Sequence, residues 1–557
     1  RPRAPLTTHP AYDVPPPRGD YAAGQAAAAR CLALALPAGV TTALSERAGL
    51  RGDVRLVVGR DWPARLVEAG ETPAGPSPPG PPRAAGARCR TPNAHRMCRR
   101  RDLHFEPMQI PPAAIAAAPA PSALATSPLA LTAAFVAAVI VSFLVKLWLS
   151  SRQMRHVARH RGAVPAAFVG TVPLSAHQKA ADYTVARGRF GTLHLAWDTA
   201  LLIGWTLLGG LDLLNQWALS WREELGPMGY QLALLAVFGL LSGLLDLPWS
   251  LYNTFRLEER FGFNRTTLRL FIVDGLKGLA VGALLGLPIA ALILWLMAQA
   301  GSLWWLWAWG AWMGFNLLML VIYPTVIAPL FNKFQPLEDA ALRERVQTLM
   351  QRCGFAAKGL FVMDGSRRSA HGNAYFTGLG AAKRVVFFDT LLERLDPPEV
   401  EAGLAHELGH FKRRHVPQRM ALMFALSLAG FALLGWLSTQ AGFYLGLGVR
   451  PSLDAPNDAL ALLLIMLALP PFTFFLTPLM SLWSRRHEFE ADAYACAQAS
   501  GADLSQALLK LHEDNAGTLT PDPLFARFYY SHPPASERLA AIASLSGAPA
   551  APAGQVA

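Results

Sequence analysis

Charge is scarce in this chain. Asp, Glu, Lys and Arg make up 16% of its 557 residues, while 52% are apolar. Soluble enzymes carry about 25% charged residues, so the composition excludes that class and points to an integral membrane protein. Cysteine is scarce as well. Cys31, Cys89, Cys98, Cys353 and Cys496 show no paired spacing, which excludes a disulfide framework and a cysteine zinc site. Lysine is absent from residues 1–107, which hold 16 Arg, have no initial Met and are rich in Pro, Ala and Gly. Apolar residues there keep no sustained period. Three readings fit: a disordered extension, an Arg-rich presequence, or a gene-model artefact upstream of a true start at Met108. Unselected GC-rich DNA translates into such a composition, which favours the third.

What is present is long apolar stretches. Seven candidate spans run over 128–150, 192–219, 228–251, 271–299, 303–328, 416–447 and 458–483. The net charge of +12 lies largely beside them, so it reads as topology signal and not as nucleic-acid binding. Loops with Arg152 to Arg161, with Arg256, Arg260, Arg265 and Arg269, with Lys333, and with Arg485 and Arg486 are basic; the alternate loops are not. The first span therefore starts outside, and the C-terminus lies in the cytoplasm. His194, Asp198, Asp212, Asp246, Asp274 and Lys277 fall within spans. Such groups are costly in lipid and should face one another or a water-filled cavity.

The chain divides accordingly. Residues 108–332 hold spans one to five, 333–415 form a cytoplasmic segment, 416–484 hold spans six and seven, and 485–557 form a second polar segment with a disordered tail. In the first polar segment a helix is expected from Leu337 to Leu349, with strands at 360–363 and 384–389. His406-Glu407-Leu408-Gly409-His410 follows, with a helix start at Pro397-Pro398-Glu399. On a helix His406 and His410 project from one face and can close on one metal ion, with Glu407 placed to take a proton from water there. The extended form of this motif would need Gly at 413 and His at 416. The chain has Arg413 and Val416, so the third ligand must come from elsewhere. Glu488 and Asp492 share a helix face after the last span, and Glu490 points away. This spacing allows Glu488 to bind metal while Asp492 orients a ligand imidazole; a charged helix end at the membrane surface is the plainer alternative. His415 and His487 read as surface or interface residues.

Together these residues resemble the type I CAAX prenyl proteases, which are integral-membrane zinc metallopeptidases. The likeness spans about 128–540. It is carried by the 406–410 motif and Glu488-Phe489-Glu490-Ala491-Asp492, with Glu258-Glu259-Arg260-Phe261-Gly262-Phe263-Asn264, Pro329-Leu330-Phe331-Asn332-Lys333-Phe334, Asn373-Ala374-Tyr375 and Ser531-His532-Pro533-Pro534 in the same order. The resemblance implies one zinc ion on His406, His410 and Glu488, Glu407 as general base and Asp492 behind a ligand histidine. It implies His532 and Arg538 at the substrate and its oxyanion, and Asn373 and Ala374 along the substrate backbone. It also implies an all-α membrane fold, a seven-helix barrel around a chamber, capped by a small cytoplasmic α+β zincin-like element.

The expected activity is zinc-dependent endopeptidase cleavage of a peptide or protein, including lipid-modified ones, with the substrate added as a strand beside 384–388. Membrane lipids are the other expected partner, the enzyme is expected as a monomer, and a bacterial source would put it in the inner membrane. Two alternatives stand: a membrane quality-control protease, and a transporter or lipid-binding protein with a vestigial metal site. An intact Glu407 argues against the latter, because a structural zinc needs no general base.

Overall fold

The computed structural model describes residues 18–21, 43–46, 55–56, 127–355, 359–377 and 384–545. The chain forms two units, Arg1–Ile115 and Ala116–Ala557. In the first, β1 (Arg18–Tyr21) pairs in parallel with β2 (Ala43–Glu46) and antiparallel with β3 (Arg55–Leu56). The expectations for the rest of 1–107, and for the tail beyond 545, lie outside the described residues.

The second unit is mostly helical. Among the described residues, six helical segments are long and apolar enough to cross a membrane: Pro128–Arg159, Arg222–Phe261, Leu268–Gln299, Gly301–Phe331, His415–Leu437 and Asp458–Gln498. The first, α1 (Pro128–Arg159), starts on Ser127, whose hydroxyl accepts from the Ala130 amide. At 32 residues it is about 48 Å long, well over the ~30 Å hydrocarbon core, so its basic end projects beyond the span. The expected stretch at 192–219 is not one helix. α2 (Leu174–Trp205) stops at Thr206, and α3 (Gly210–Leu219) starts after Gly209, whose φ of 78° suits glycine. Next come α4 (Arg222–Tyr252), α5 (Leu268–Gln299) and α6 (Trp304–Ile322). Large apolar side chains lie open along these helices, among them Leu244, Leu276 and Leu284. A surface of that kind is suited to lipid and not to water.

Each ionisable residue expected within a span has a partner. His194 Nε2 lies 2.9 Å from Asp246 and 3.4 Å from Asp198. Asp212 takes two bonds from the Arg450 guanidinium and one from its amide. Asp274 pairs with Arg368 at 2.8 Å, and Lys277 donates to the Leu330 carbonyl at 2.7 Å. Pairing offsets the cost of placing these groups among apolar helices.

The polar segments pack into one core. β4 (Phe334–Pro336), β5 (Gly359–Met363), β6 (Ala374–Thr377) and β7 (Arg384–Phe388) form a sheet in the order β4-β5-β7-β6. β5 and β7 are parallel; the two outer pairings are antiparallel. The expected helix is α7 (Ala340–Arg352), N-capped by Asp339. The motif helix is α8 (Pro397–Lys412), followed by α9 (His415–Leu437) and α10 (Asp458–Thr473). α11 (Thr477–Gln498) runs out of the last span, and α12 (Gly501–Asp514), α13 (Pro523–Tyr529) and α14 (Ala535–Leu545) complete the unit. Leu349, Val385, Phe387, Ala405, Leu408, Ala495 and Leu504 are buried together between sheet and helices.

Candidate metal centre

α8 is fixed at its start by a capping box. The Asp396 side chain accepts from the Glu399 amide, and Glu399 accepts in return from the Asp396 amide. Pro397 and Pro398 occupy the first turn, where a missing amide hydrogen costs nothing. Lys510 of α12 bonds both carboxylates, at 2.9 Å and 2.7 Å. Val400, Leu404 and Leu408 anchor the buried face, each contributing about 1.5–3 kcal/mol by leaving water. α11 crosses against Gly409: a Cβ there would stand 2.9 Å from the Ala491 Cα. The glycine of the motif is thus a packing requirement that brings α11, with Glu488, over the two histidines.

His406, His410 and Glu488 offer ligand atoms that all lie within 4.8 Å of one another. His406 Nε2 is 3.3 Å from His410 Nε2, and each stands 3.4 Å from an oxygen of Glu488. Zinc–ligand bonds of about 2.0–2.1 Å at tetrahedral angles separate neighbouring donors by roughly 3.3–3.4 Å, so the triangle fits that ion. Glu488 Oε2 is buried without a well-formed hydrogen bond, although His532 Nδ1 is 2.7 Å away. A buried anionic oxygen in that position calls for a cation. Three protein donors leave one position open, as in catalytic and not structural zinc sites. His406 and Glu488 are buried, whereas the His532 side chain is 66% exposed, so access is from that side.

Behind His406 stands Asp492, fully buried, with Oδ1 2.8 Å from His406 Nδ1. This bond puts the proton on Nδ1 and turns the Nε2 lone pair to the site. Burial lowers the pKa of His406, but its hydrogen bonds to Asp492 and Glu488 outweigh burial and push it up to about 9. The pocket draws in positive charge. Arg538 was expected at the substrate. The structure instead buries it behind the ligands, with Nε and Nη2 at 2.8 Å and 2.5 Å from the two oxygens of Asp492. That bidentate pairing neutralises Asp492 and holds its orientation. Glu407 is half-buried beside the ligands and contributes to the field around Arg538.

Two further expectations change. His415 and His487 are not surface residues. Both are buried and stacked, with ring centroids 3.9 Å apart, and His415 Nδ1 lies 2.9 Å from His410 Nδ1. Glu490 does point away from the ligand triangle, and its Oε2 meets His415 Nε2 at 3.1 Å. The cause is the helix break after α8: Arg414 takes φ 59° and swings His415 back. The other change concerns the sheet. A strand cannot add beside 384–388, because β7 is enclosed by β5 and β6. The edge strands are β4 and β6, and β6 starts at Ala374. Asn373 Oδ1 accepts from the Ala374 amide, and the Asn373 carbonyl accepts from Phe388, so their hydrogen bonds stay within the sheet.

Residues 153–333 match the profile described as CAAX prenyl protease N-terminal, five membrane helices, and residues 336–546 match peptidase family M48. The "CAAX prenyl protease 1 homolog" of Arabidopsis thaliana is 34% identical over 73% of this chain and 96% of its own length. The human "CAAX prenyl protease 1 homolog" is 32% identical over 74% and 95%. The crystal structure of S. mikatae Ste24p superposes with a TM-score of 0.70 at 30% identity, covering 75% of this chain and 99% of that one.

Proposed function

The chain belongs to the CAAX prenyl proteases of peptidase family M48 and is a membrane zinc metalloprotease, and from that premise we propose how its residues act and on what. His406, His410 and Glu488 hold the zinc. When bound, zinc supplies positive charge that polarises a carbonyl and makes nearby water more acidic. Glu407 takes the proton of the attacking water and passes it to the leaving amine. Asp492, clamped by Arg538, keeps His406 in the binding tautomer. His532, close to the ligand carboxylate on the open side, donates to the oxyanion. The peptide adds to the free edge of β6, with Asn373 and Ala374 along its backbone. The buried triangle of donors beside Glu407 is the observation that carries this reading.

The membrane part forms a seven-helix barrel around a chamber, with α2 as the seventh wall and the α+β protease element as its cap. His194 and Asp198 of α2 meeting Asp246 of α4 among apolar helices support a wet interior. The basic loops put the site on the cytoplasmic side. One chain provides every residue of the proposed site, so a monomer is sufficient for the activity. Its substrate is a peptide with a prenylated cysteine near the C-terminus, as the names of its relatives indicate.

The test is cleavage of prenylated and unprenylated reporter peptides by detergent-solubilised protein. The parent should cleave, with preference for the prenylated peptide. Glu407→Gln should bind one zinc yet lose activity about a thousand-fold. Full activity in that variant would remove Glu407 from the role, and equal cleavage of both peptides would remove the lipid from the substrate.

A further inference from the structure

We propose that His415 is a positioning residue for the second zinc ligand, linking His410 to Glu490. The inference rests on the zinc assignment above. If His410 binds through Nε2, its neutral ring carries the remaining proton on Nδ1. That proton points at His415 Nδ1, 2.9 Å away, so His415 must accept there and carry its own proton on Nε2. Nε2 then donates to Glu490 Oε2 at 3.1 Å. Each bond fixes the next, and the chain ends on a carboxylate that Arg486 holds at 3.1 Å through its other oxygen. His415 cannot rotate out of this arrangement, because its side chain is 3% exposed and its ring lies flat on His487, with the planes 4° apart. Trp483 closes the outer side of His487, its ring centroid 4.7 Å away. The protein thus aims both ligand rings by a carboxylate, directly for His406 and through an intervening imidazole for His410.

The experiment uses the full chain in detergent, stripped of metal and titrated with zinc against a chromophoric chelator. Thermal unfolding of each metal-free variant reports whether the fold survives. His415→Leu keeps apolar bulk but offers no acceptor, and should raise the zinc Kd about 10–100-fold. His415→Asn places Oδ1 where Nδ1 stood and should recover most of that loss. Glu490→Gln should give a smaller rise than His415→Leu. If leucine unfolds the metal-free protein, His415→Ala replaces it as the acceptor-free variant. A His415→Leu Kd within about twofold of the parent, or an Asn variant no better than the acceptor-free one, overturns the inference while leaving the zinc site intact. A parent that takes up no zinc overturns the metal assignment and this inference together.

Discussion

His406 and His410 stand one turn apart on the same face of one helix, yet the protein supports them differently. Behind His406 is a closed arrangement: a fully buried Asp492 and a buried Arg538, joined by two short hydrogen bonds. Behind His410 the hydrogen bonds run outward, through His415 to Glu490 and Arg486, whose side chains are 35% and 79% exposed. A buried ion pair must be complete, because either charge left alone has no solvent to stabilise it. A chain of bonds that reaches the surface can lose its outermost member to water at little cost. The first arrangement therefore holds both fold and site, while the second chiefly aims a ring.

This contrast can be broken at its strongest point first. Asp492→Ala leaves Arg538 buried without its bidentate partner, with Glu488 at 3.8 Å the nearest carboxylate, and frees His406 Nδ1. Breaking a buried pair in this way costs about 3–5 kcal/mol, so both stability in a denaturant series and zinc uptake should fall sharply. A variant that unfolds like the parent would show that the Asp492–Arg538 pair is not structural. Gly409→Ala comes next. The added methyl meets the α11 backbone at Ala491, and overpacking of that kind costs about 1–3 kcal/mol. Pushing α11 away also draws Glu488 off the histidines, so the zinc Kd should rise with the loss of stability. Unchanged zinc affinity would mean that the helices accommodate the methyl elsewhere.

A pH series sharpens the same comparison. In metal-free protein the pKa of His406 is raised from 6.5 to about 9. The stabilisation that follows is fully present below pH 6.5 and is lost as pH rises through about 9. The Tm of chelator-treated protein should fall across that window, and should fall less in Asp492→Ala, where only Glu488 still favours the charged ring. Zinc competes for the same ring nitrogens, so its uptake should strengthen as pH rises. The smallest effect belongs to Arg486→Ala, which removes an exposed partner of Glu490 and should cost under ~1 kcal/mol, with little change in zinc affinity. A large loss there would place Arg486 inside the relay.

The polar groups that hold this site differ in how they can be recognised. The spacing of His406 with His410, and of Glu488 with Asp492, is visible because a helix repeats its faces regularly, and each pair keeps to one face. His415 follows His410 by five residues, about 140° away around a continuous helix, which hid its contact. Only the turn at Arg414 brings it back. Arg538 carries a charge that suits a substrate as well as a buried pair, and nothing in the residues around it distinguishes the two. The short strands β4 and β6 have too few residues for an alternating pattern to emerge. The apolar stretch at 192–219 satisfies a composition rule, yet Gly209 and Gly210 allow the turn that divides it.

By itself the sequence determined the membrane class, most of the spans, the motif helix with its two histidines, and the shared face of Glu488 and Asp492. These follow from local composition and from the fixed periodicity of helices, which operate over a few neighbouring residues. Tertiary structure decided the pairing of Arg538 with Asp492, the approach of α11 to Gly409, the link from His410 to Glu490 and the strand order that encloses β7 and leaves β6 at an edge. Each depends on side chains or strands far apart in the chain. Their contacts are set by how helices cross and strands order themselves, geometry that no local pattern encodes.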